Sequence, residues 1–142
     1  MIYNSNSVKE TQNIAKALAK NLLPGDVICL RGDLGVGKTA FVQGLAEGLQ
    51  IKETITSPTF TIVNCSESGR LPFYHFDVYR IDDSDEMYEI GYEEYVYGEG
   101  VSVIEWPDKI ADILPQKRYD IEISKDLAVH EDYRIINIEK RA

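Results

Sequence analysis

A glycine-rich octapeptide, "GDLGVGKT" at residues 32–39, is the stretch with the clearest chemical potential. It matches G-x-x-x-x-G-K-[ST], the pattern of a phosphate-binding loop. Glycines permit backbone angles that let successive N–H groups point at phosphate oxygens. Lys38 would place a positive charge on the β- and γ-phosphates, and Thr39 would offer its hydroxyl to Mg²⁺. The octapeptide therefore predicts a nucleotide site made of Gly32, Asp33, Leu34, Gly35, Val36, Gly37, Lys38 and Thr39.

Two acidic residues that follow apolar runs could complete such a site. A phosphate-loop hydrolase needs a carboxylate at a strand end to hold Mg²⁺ and a group that orients the attacking water. Asp77 follows "FYHF", and Glu105 follows "VSVI". Either acid could instead be a solvated strand end, and the pattern alone does not rank the two.

The motif "SPTF" places two hydroxyl groups, those of Ser57 and Thr59, just before a predicted strand. One interpretation is an ordinary turn that leads into the strand. The other is a switch-like loop whose hydroxyl meets Mg²⁺ or the γ-phosphate.

Three further side chains have two interpretations each. His75 in "HFDVYR" is either a packed strand histidine or part of a switch-like or partner site. Arg80 is either a surface charge or a group that stabilises phosphate charge or binds a partner. Trp106, the only tryptophan, adjoins Glu105 and is either a core residue or a neighbour of the nucleotide.

The elements that must hold these residues alternate between helix and strand. "SVKE" is typical of a capping box, and the apolar spacing behind it predicts a helix over 8–22. A buried strand is predicted over 26–32, ahead of the octapeptide, and a second helix runs from the octapeptide to about Leu49. Two strands at 59–64 and 73–79 could form a hairpin. The remaining predicted elements are short helices and turns over 82–100, a strand at 101–105, a helix at 107–114 and closing strands at 118–124 and 133–139.

Composition limits the fold and function classes. A chain of 142 residues can bury one core, so we expect a single α/β domain over 1–142. The net charge is −9 and the 15 Lys and Arg residues are scattered, which argues against a protein that grips nucleic acid alone, DNA included. No apolar run approaches the roughly 18 residues of a membrane-spanning helix. With no signal peptide and no cysteine pattern, the sequence favours a reducing cytoplasm.

The motifs in this order resemble the TsaE family, small bacterial ATPases needed for threonylcarbamoyl-adenosine modification of tRNA. The matching stretches are "RGDLGVGKT", "TSPTFTIVN", "YHFDVYRI" and "EIGYEEYVYGEGVSVIEWPDKI". The likeness runs from about residue 7 to residue 115. "SPTF", "HFDVYR" and "EWP" at these separations are much more specific than the phosphate loop, which many proteins share.

The resemblance implies a fold and an activity. The fold would be a single P-loop NTPase-type domain with a central mixed β-sheet flanked by helices. The protein would bind and slowly hydrolyse ATP with Mg²⁺ and associate with the TsaB–TsaD pair, which transfers the threonylcarbamoyl group. The ATPase would support turnover of that pair and would meet tRNA only indirectly.

The resemblance also implies roles for residues that match the family motifs. Lys38 would bind phosphates, Thr39 and Glu105 would contact Mg²⁺, and Asp77 would be the second acidic group of the site.

At other matching positions the resemblance implies less specific roles. Thr59 would belong to the switch-like loop, Trp106 would lie beside the metal carboxylate, and Thr11 in the first helix would lie near the adenine. Ala40 stands where a second threonine is common in the family. From about residue 118 onwards the match is one of pattern only.

Two other functions remain open at this stage. A small-molecule P-loop kinase usually carries an arginine-rich lid, whereas residues 82–100 hold eight acids and no Lys or Arg. A nucleotide-dependent binding module would use the loop only as a switch. This acidic segment, residues 82–100, is either a solvated helix face or a negative surface for TsaB–TsaD, with tyrosines 88, 92, 95 and 97 as anchors.

Overall fold

The structure is a computed structural model that describes residues 1–33, 35–55, 58 and 62–142. Strands and helices alternate along most of the described chain. In chain order the elements are β1 (Ile2–Ser5), α1 (Val8–Ala19), β2 (Val27–Arg31), α2 (Lys38–Gly48), β3 (Val63–Ser66), β4 (Phe73–Asp77), α3 (Glu86–Glu89), α4 (Tyr92–Val96), β5 (Val101–Glu105), a 3₁₀ helix (Pro107–Ile113), β6 (Arg118–Lys125) and β7 (Arg134–Arg141).

The strands form one seven-stranded mixed sheet in the order β1-β7-β6-β2-β5-β4-β3. β2 is central and pairs in parallel with β5 and β6, and β4 is parallel to β5. β1, β3 and β7 run antiparallel to their neighbours. The carboxyl ends of β2, β4, β5 and β6 therefore meet at one edge, where ligands bind in open α/β sheets. The predicted α/β class with a mixed sheet and flanking helices is confirmed.

Each face of the sheet is covered by its own helices and its own apolar cluster. On one face α1 and α2 bury a cluster that includes Phe41, Leu45 and Val103. On the other face α3, α4 and the 3₁₀ helix cover a second cluster around Phe76 and Cys29. Burial raises the pKa of the Cys29 thiol to about 12, so it packs as a small apolar side chain.

The helix predicted from the capping box is present but shorter. Ser7 is the N-cap of α1, and its hydroxyl accepts a hydrogen bond from the backbone N–H of Glu10 at 3.1 Å. The helix ends at Ala19 rather than at Leu22. The carbonyl groups of Ala19, the last residue of the helix, and of Leu22, just beyond it, accept hydrogen bonds from Arg70, so a distant side chain satisfies the helix end.

Other boundaries also differ from the sequence predictions. β1 was not predicted, because "IYNS" exposes three of its four residues and carries no apolar alternation. The strand predicted over 59–64 is β3, later in the chain, and residues 59–61 lie outside the described residues. The predicted hairpin between β3 and β4 is confirmed. The helix predicted after Trp106 is a 3₁₀ helix. No helix in the described part of the chain is long and apolar enough to cross a membrane.

α1 and α2 pack at very close range through a glycine. A Cβ atom at Gly44 would lie 2.4 Å from the carbonyl oxygen of Gln12 and 2.9 Å from the Cβ of Ala15. Such a distance is shorter than a van der Waals contact, so only a hydrogen at this position lets the two helices meet. This contact holds the middle of α1 against the middle of α2, the helix that begins at the end of the octapeptide.

We predict that Gly44→Ala lowers the free energy of unfolding by about 1–3 kcal/mol, because the added methyl group overpacks the α1–α2 contact. Urea denaturation of the purified protein measures this change. The matched control is Glu47→Ala on the same helix, which removes only an exposed ion pair with Lys16. Because such pairs contribute little, the control should unfold at nearly the wild-type urea concentration. Equal effects of the two substitutions would contradict the packing argument.

Candidate functional site

The octapeptide joins the carboxyl end of β2 to the amino end of α2, as the phosphate-loop pattern requires. Gly35 and Gly37 have φ angles of +80° and +103°, which residues with side chains rarely adopt. Gly37 is the N-cap of α2 and offers no side-chain hydrogen bond to the first turn. The N–H groups of that turn are therefore available to an anion.

Members of the octapeptide differ in exposure. Leu34 lies outside the described residues. Among the others, Val36 and Lys38 are buried, and Gly32 and Gly37 are half-buried. The exposed members are Asp33, Gly35 and Thr39.

The ammonium group of Lys38 is buried without a hydrogen-bond partner among the described residues. Only 7% of the residue is exposed, and Nζ has no acceptor there. It lies 3.8 Å from the centroid of the Trp106 ring. Burial lowers the pKa of Lys38, and the charges of Glu105 and Asp77 oppose that shift. A buried cation that lacks acceptors fits a ligand that brings anionic oxygens, such as a phosphate chain.

The two acids considered in the sequence are neighbours in the sheet. β4 and β5 are parallel, and their register places Asp77 opposite Glu105. Glu105 is 4% exposed, whereas Asp77 is half-buried and accepts a hydrogen bond from the backbone N–H of Tyr79 at 3.1 Å. The structure thus brings both acids together at the carboxyl edge of the sheet, and Glu105 is more deeply buried than Asp77.

His75 fixes the carboxylate of Glu105. Its Nε2 lies 2.5 Å from Glu105 Oε2, and the histidine is 2% exposed. The two atoms share one hydrogen across this contact. His75 is thus packed in its strand, as one interpretation held, and it also orients an acid of the site.

The oxygen groups near the octapeptide are of the kind that binds Mg²⁺ together with a nucleotide. No group of three or more His, Cys, Asp or Glu side chains in the described ranges could hold a metal ion by itself. Mg²⁺ in nucleotide sites is bound by one or two carboxylates together with phosphates and waters. The hydroxyl of Thr39 in the first turn of α2 and the carboxylates of Glu105 and Asp77 are oxygen ligands of that kind. These residues fit a Mg²⁺ ion that a nucleotide would bring.

Trp106 lies against Lys38 at the end of β5. It adopts a left-handed backbone conformation (φ +63°), which is uncommon without glycine and typical of functional sites. Its ring packs against Tyr79 with the centroids 4.9 Å apart. Arg80, next to Tyr79, is exposed. Trp106 thus covers the ammonium group and also packs, partly buried, against the second apolar cluster.

Thr11 lies beside the octapeptide but is already hydrogen-bonded. Its hydroxyl is 2.7 Å from that of Ser5 in β1, and 3% of the residue is exposed. With Gly35 and Gly37 it lines a cavity of about 260 Å³. The structure therefore brings Thr11 next to the loop. Ser57 and Thr59 lie outside the described residues, so their predicted switch role stays a prediction.

The C-terminal strands take part in the site, which the sequence reasoning missed. Arg134, the first residue of β7, donates a hydrogen bond from Nε to the carbonyl oxygen of Val36 at 2.9 Å. With Asp132 it also lines the cavity that contains Thr11. The only local signal is an arginine at the start of a predicted strand, so nothing in the sequence pattern indicated this contact.

A larger cavity of about 850 Å³ opens at the same edge. Arg31 at its rim forms ion pairs with Asp108 and Asp120 at 3.0 Å, which tie β2 to the 3₁₀ helix and β6. Sequence reasoning also missed this network, because its members lie far apart in the chain. The cavity is lined by Arg31, Gly32, Asp33, Val36, Trp106, Pro107, Asp108, Lys109, Glu122, Ile123, Ser124 and Lys125.

Comparison with known sequences gives one consistent family. The family model described as "Threonylcarbamoyl adenosine biosynthesis protein TsaE" matches residues 5–134. The tRNA threonylcarbamoyladenosine biosynthesis protein TsaE of Bacillus subtilis is 49% identical over 117 residues, 82% of this chain and 73% of that protein. The protein of the same name from Treponema pallidum is 46% identical over 120 residues, 84% of this chain and 87% of its own. That of Rickettsia prowazekii is 36% identical over 140 residues, with 98% and 94% covered.

The fold has a solved counterpart. The crystal structure of Bacillus subtilis YdiB superposes with a TM-score of 0.83 at 39% sequence identity. The match covers 100% of this chain and 86% of that one. The agreement therefore extends to the whole sheet, including the C-terminal strands that the motifs did not cover.

We predict that Lys38→Met raises the free energy of unfolding of the nucleotide-free protein by about 1 kcal/mol, because it removes a buried charge and keeps the apolar stem. Burial lowers the pKa of Lys38 in the folded state. The gain is therefore complete at neutral pH and shrinks as the pH rises from that lowered pKa towards about 10.4. Denaturation at several pH values measures it.

The same substitution should also change the emission spectrum of Trp106, since the ammonium group leaves its ring. The control is Lys109→Met, whose Nζ lies over Tyr79 instead, at 5.6 Å from the ring centroid. An unchanged spectrum in Lys38→Met would contradict the described contact.

Proposed function

The chain belongs to the TsaE family of tRNA threonylcarbamoyladenosine biosynthesis proteins, and we propose that it is the ATPase of that process. In this proposal it binds ATP with Mg²⁺ at residues 32–39 and hydrolyses it to support turnover of the TsaB–TsaD pair. The observation that carries the nucleotide site is the buried ammonium group of Lys38 without an acceptor among the described residues. The partner and the pathway step rest on family membership.

Each residue near the loop has a distinct task in this proposal. Lys38 and the free N–H groups of α2 bind the phosphate chain in a site of low dielectric, where such contacts are strong. Bound Mg²⁺ would supply charge neutralisation on the phosphate oxygens, with Thr39 and Glu105 as the groups that hold it. His75 keeps the carboxylate of Glu105 in one orientation. Asp77, opposite Glu105 in the sheet, would orient the attacking water.

Trp106 controls where the ammonium group of Lys38 lies. Before nucleotide binds, the aromatic face stabilises the cation by about 0.5–2 kcal/mol. A phosphate chain offers charge-assisted hydrogen bonds, which are stronger, so the ammonium group would move from the ring to the phosphate. The aromatic face therefore stabilises the Lys38 ammonium group in the nucleotide-free protein. Because this contact must be broken on binding, it would lower the affinity for nucleotide by a modest amount.

The acidic segment 82–100 supports a protein partner rather than a small phosphoryl acceptor. Tyr88 and Tyr97 are 47% and 66% exposed among its acids. Tyr92 is buried and donates a hydrogen bond to the Ile113 carbonyl, and Tyr95 packs edge-on against Tyr74. Tyr92 is thus excluded as an anchor and Tyr95 is engaged in packing. A kinase lid needs cations here, whereas exposed tyrosines with acids suit a basic protein surface.

We predict that Lys38→Ala weakens ATP binding by about 100-fold or more, since it removes the buried cation that would face the phosphates. Glu105→Gln should lower the hydrolysis rate by about 100-fold while the Kd for ATP changes only a few-fold, because charge develops in the transition state. Calorimetry gives the Kd and phosphate release gives the rate. The control Lys117→Ala removes an exposed lysine that lines neither cavity at this edge and should match the wild type. An unchanged Kd for ATP in Lys38→Ala would contradict the proposed nucleotide site.

We predict that reversing two exposed acids of α4, Glu93→Lys with Glu94→Lys, weakens association with TsaB–TsaD by about 10-fold at low salt and less at high salt. Pull-down with and without ATP, then titration at several salt concentrations, measures it. The control reverses two exposed acids elsewhere, Glu67 and Glu139. If both pairs behave alike, the acidic segment is only a solvated face. ADP formation that is stimulated by a small acceptor, which takes the phosphoryl group, and not by TsaB–TsaD would instead favour the kinase.

A further inference from the structure

Arg134 contacts the phosphate loop through one backbone carbonyl. Its Nε donates to the carbonyl oxygen of Val36 at 2.9 Å, and its Nη1 donates to the carbonyl oxygens of Glu131 and Tyr133 at 2.7 and 2.9 Å. The guanidinium group is half-buried and is held by three acceptors. It therefore connects the last strand to the middle of the octapeptide in one fixed geometry.

The backbone of Arg134 is itself held firmly. It is the first residue of β7, and it pairs with Ser5 of β1 on one side and with Lys125 of β6 on the other. The side chain thus starts from a strand that is bonded along both edges. This makes Arg134 a rigid support for the loop rather than a mobile surface charge.

The contacted peptide lies where the loop has the most conformational freedom. Val36 stands between two glycines with positive φ, and glycine loses more conformational entropy on ordering than any other residue. In a trans peptide the C=O of one residue and the N–H of the next point in opposite directions. A carbonyl of Val36 that faces Arg134 therefore turns the N–H of Gly37 away from β7.

We propose that Arg134 is a positioning residue of the phosphate loop: by holding the carbonyl of Val36, it keeps the N–H of Gly37 turned towards the phosphate chain. This inference rests on the proposed nucleotide site. The buried side chain of Val36 in the core is a second anchor of the same peptide. With both anchors the loop is ordered before the ligand arrives, so binding does not have to supply that entropy.

Direct attraction between the guanidinium charge and phosphate is the competing explanation, because Arg134 lines the cavity beside Gly35 and Gly37. The two explanations differ in their salt dependence. A direct charge contact is screened by salt, whereas a hydrogen bond to a carbonyl acts on the shape of the loop and is nearly independent of salt.

The test compares Arg134→Met with Arg70→Met, whose guanidinium likewise donates to backbone carbonyls, those of Ala19 and Leu22, away from the loop. We expect Arg134→Met to raise the Kd for ATP about 10-fold with an unchanged dependence of log Kd on log salt concentration. Arg134→Lys, which keeps a cationic donor group but not the planar guanidinium, should recover part of the loss. Arg70→Met should leave the Kd within about two-fold, even where it lowers the melting temperature.

A second readout needs no nucleotide. The ¹⁵N and ¹H shifts of the Gly37 amide should move in Arg134→Met and stay in Arg70→Met, because only the first variant frees the contacted peptide. An unchanged Kd together with unchanged Gly37 shifts would overturn the inference, as would a weaker salt dependence in Arg134→Met. A wild-type protein that does not bind ATP would refute the proposed function, and the amide shifts would still decide the role of Arg134.

Discussion

The arrangement of the candidate site depends on one unfavourable feature, a lysine charge taken out of water without an acceptor among the described residues. An exposed lysine would be solvated and would gain little from an anion. Lys38 is 7% exposed and retains only the face of Trp106 and the more distant charges of the site acids. Favourable interactions in the rest of the fold must offset the free energy of burying the Lys38 charge. The surrounding core, the helix contact at Gly44 and the strand pairing together keep the ammonium group where an arriving anion would find it.

The parallel register turns separate sequence motifs into one site. Asp77 and Glu105 are 28 positions apart in the chain, yet they are opposite each other because β4 and β5 are in register. His75, on the same face of β4, then reaches Glu105. A shift of one residue would send these side chains to the other face of the sheet. Strand pairing therefore sets the chemistry of this edge as much as the residue types do.

Local patterns predicted those parts of the fold that local physics decides. The capping box at Ser7, the loop between β2 and α2, and the hairpin of β3 and β4 all follow from neighbours in sequence. Three things could not be found in this way. β1 has too little apolar pattern, and the Arg31 network and the Arg134–Val36 bond join segments that are 77 to 98 positions apart. Such contacts depend on tertiary packing, which propensity and periodicity do not encode.

Among the described strands, β1 pairs with β7 alone, and the octapeptide is supported by a residue of that same strand. β1 lies at the edge of the sheet beside β7, and Arg134 of β7 donates to the carbonyl of Val36. On the ribosome the chain is made from its N-terminus, so β1 and the octapeptide leave the tunnel long before their partner exists. Ordering of this edge must therefore follow the synthesis of β7, and a nascent chain cut short of β7 would have the whole octapeptide without the strand that supports it.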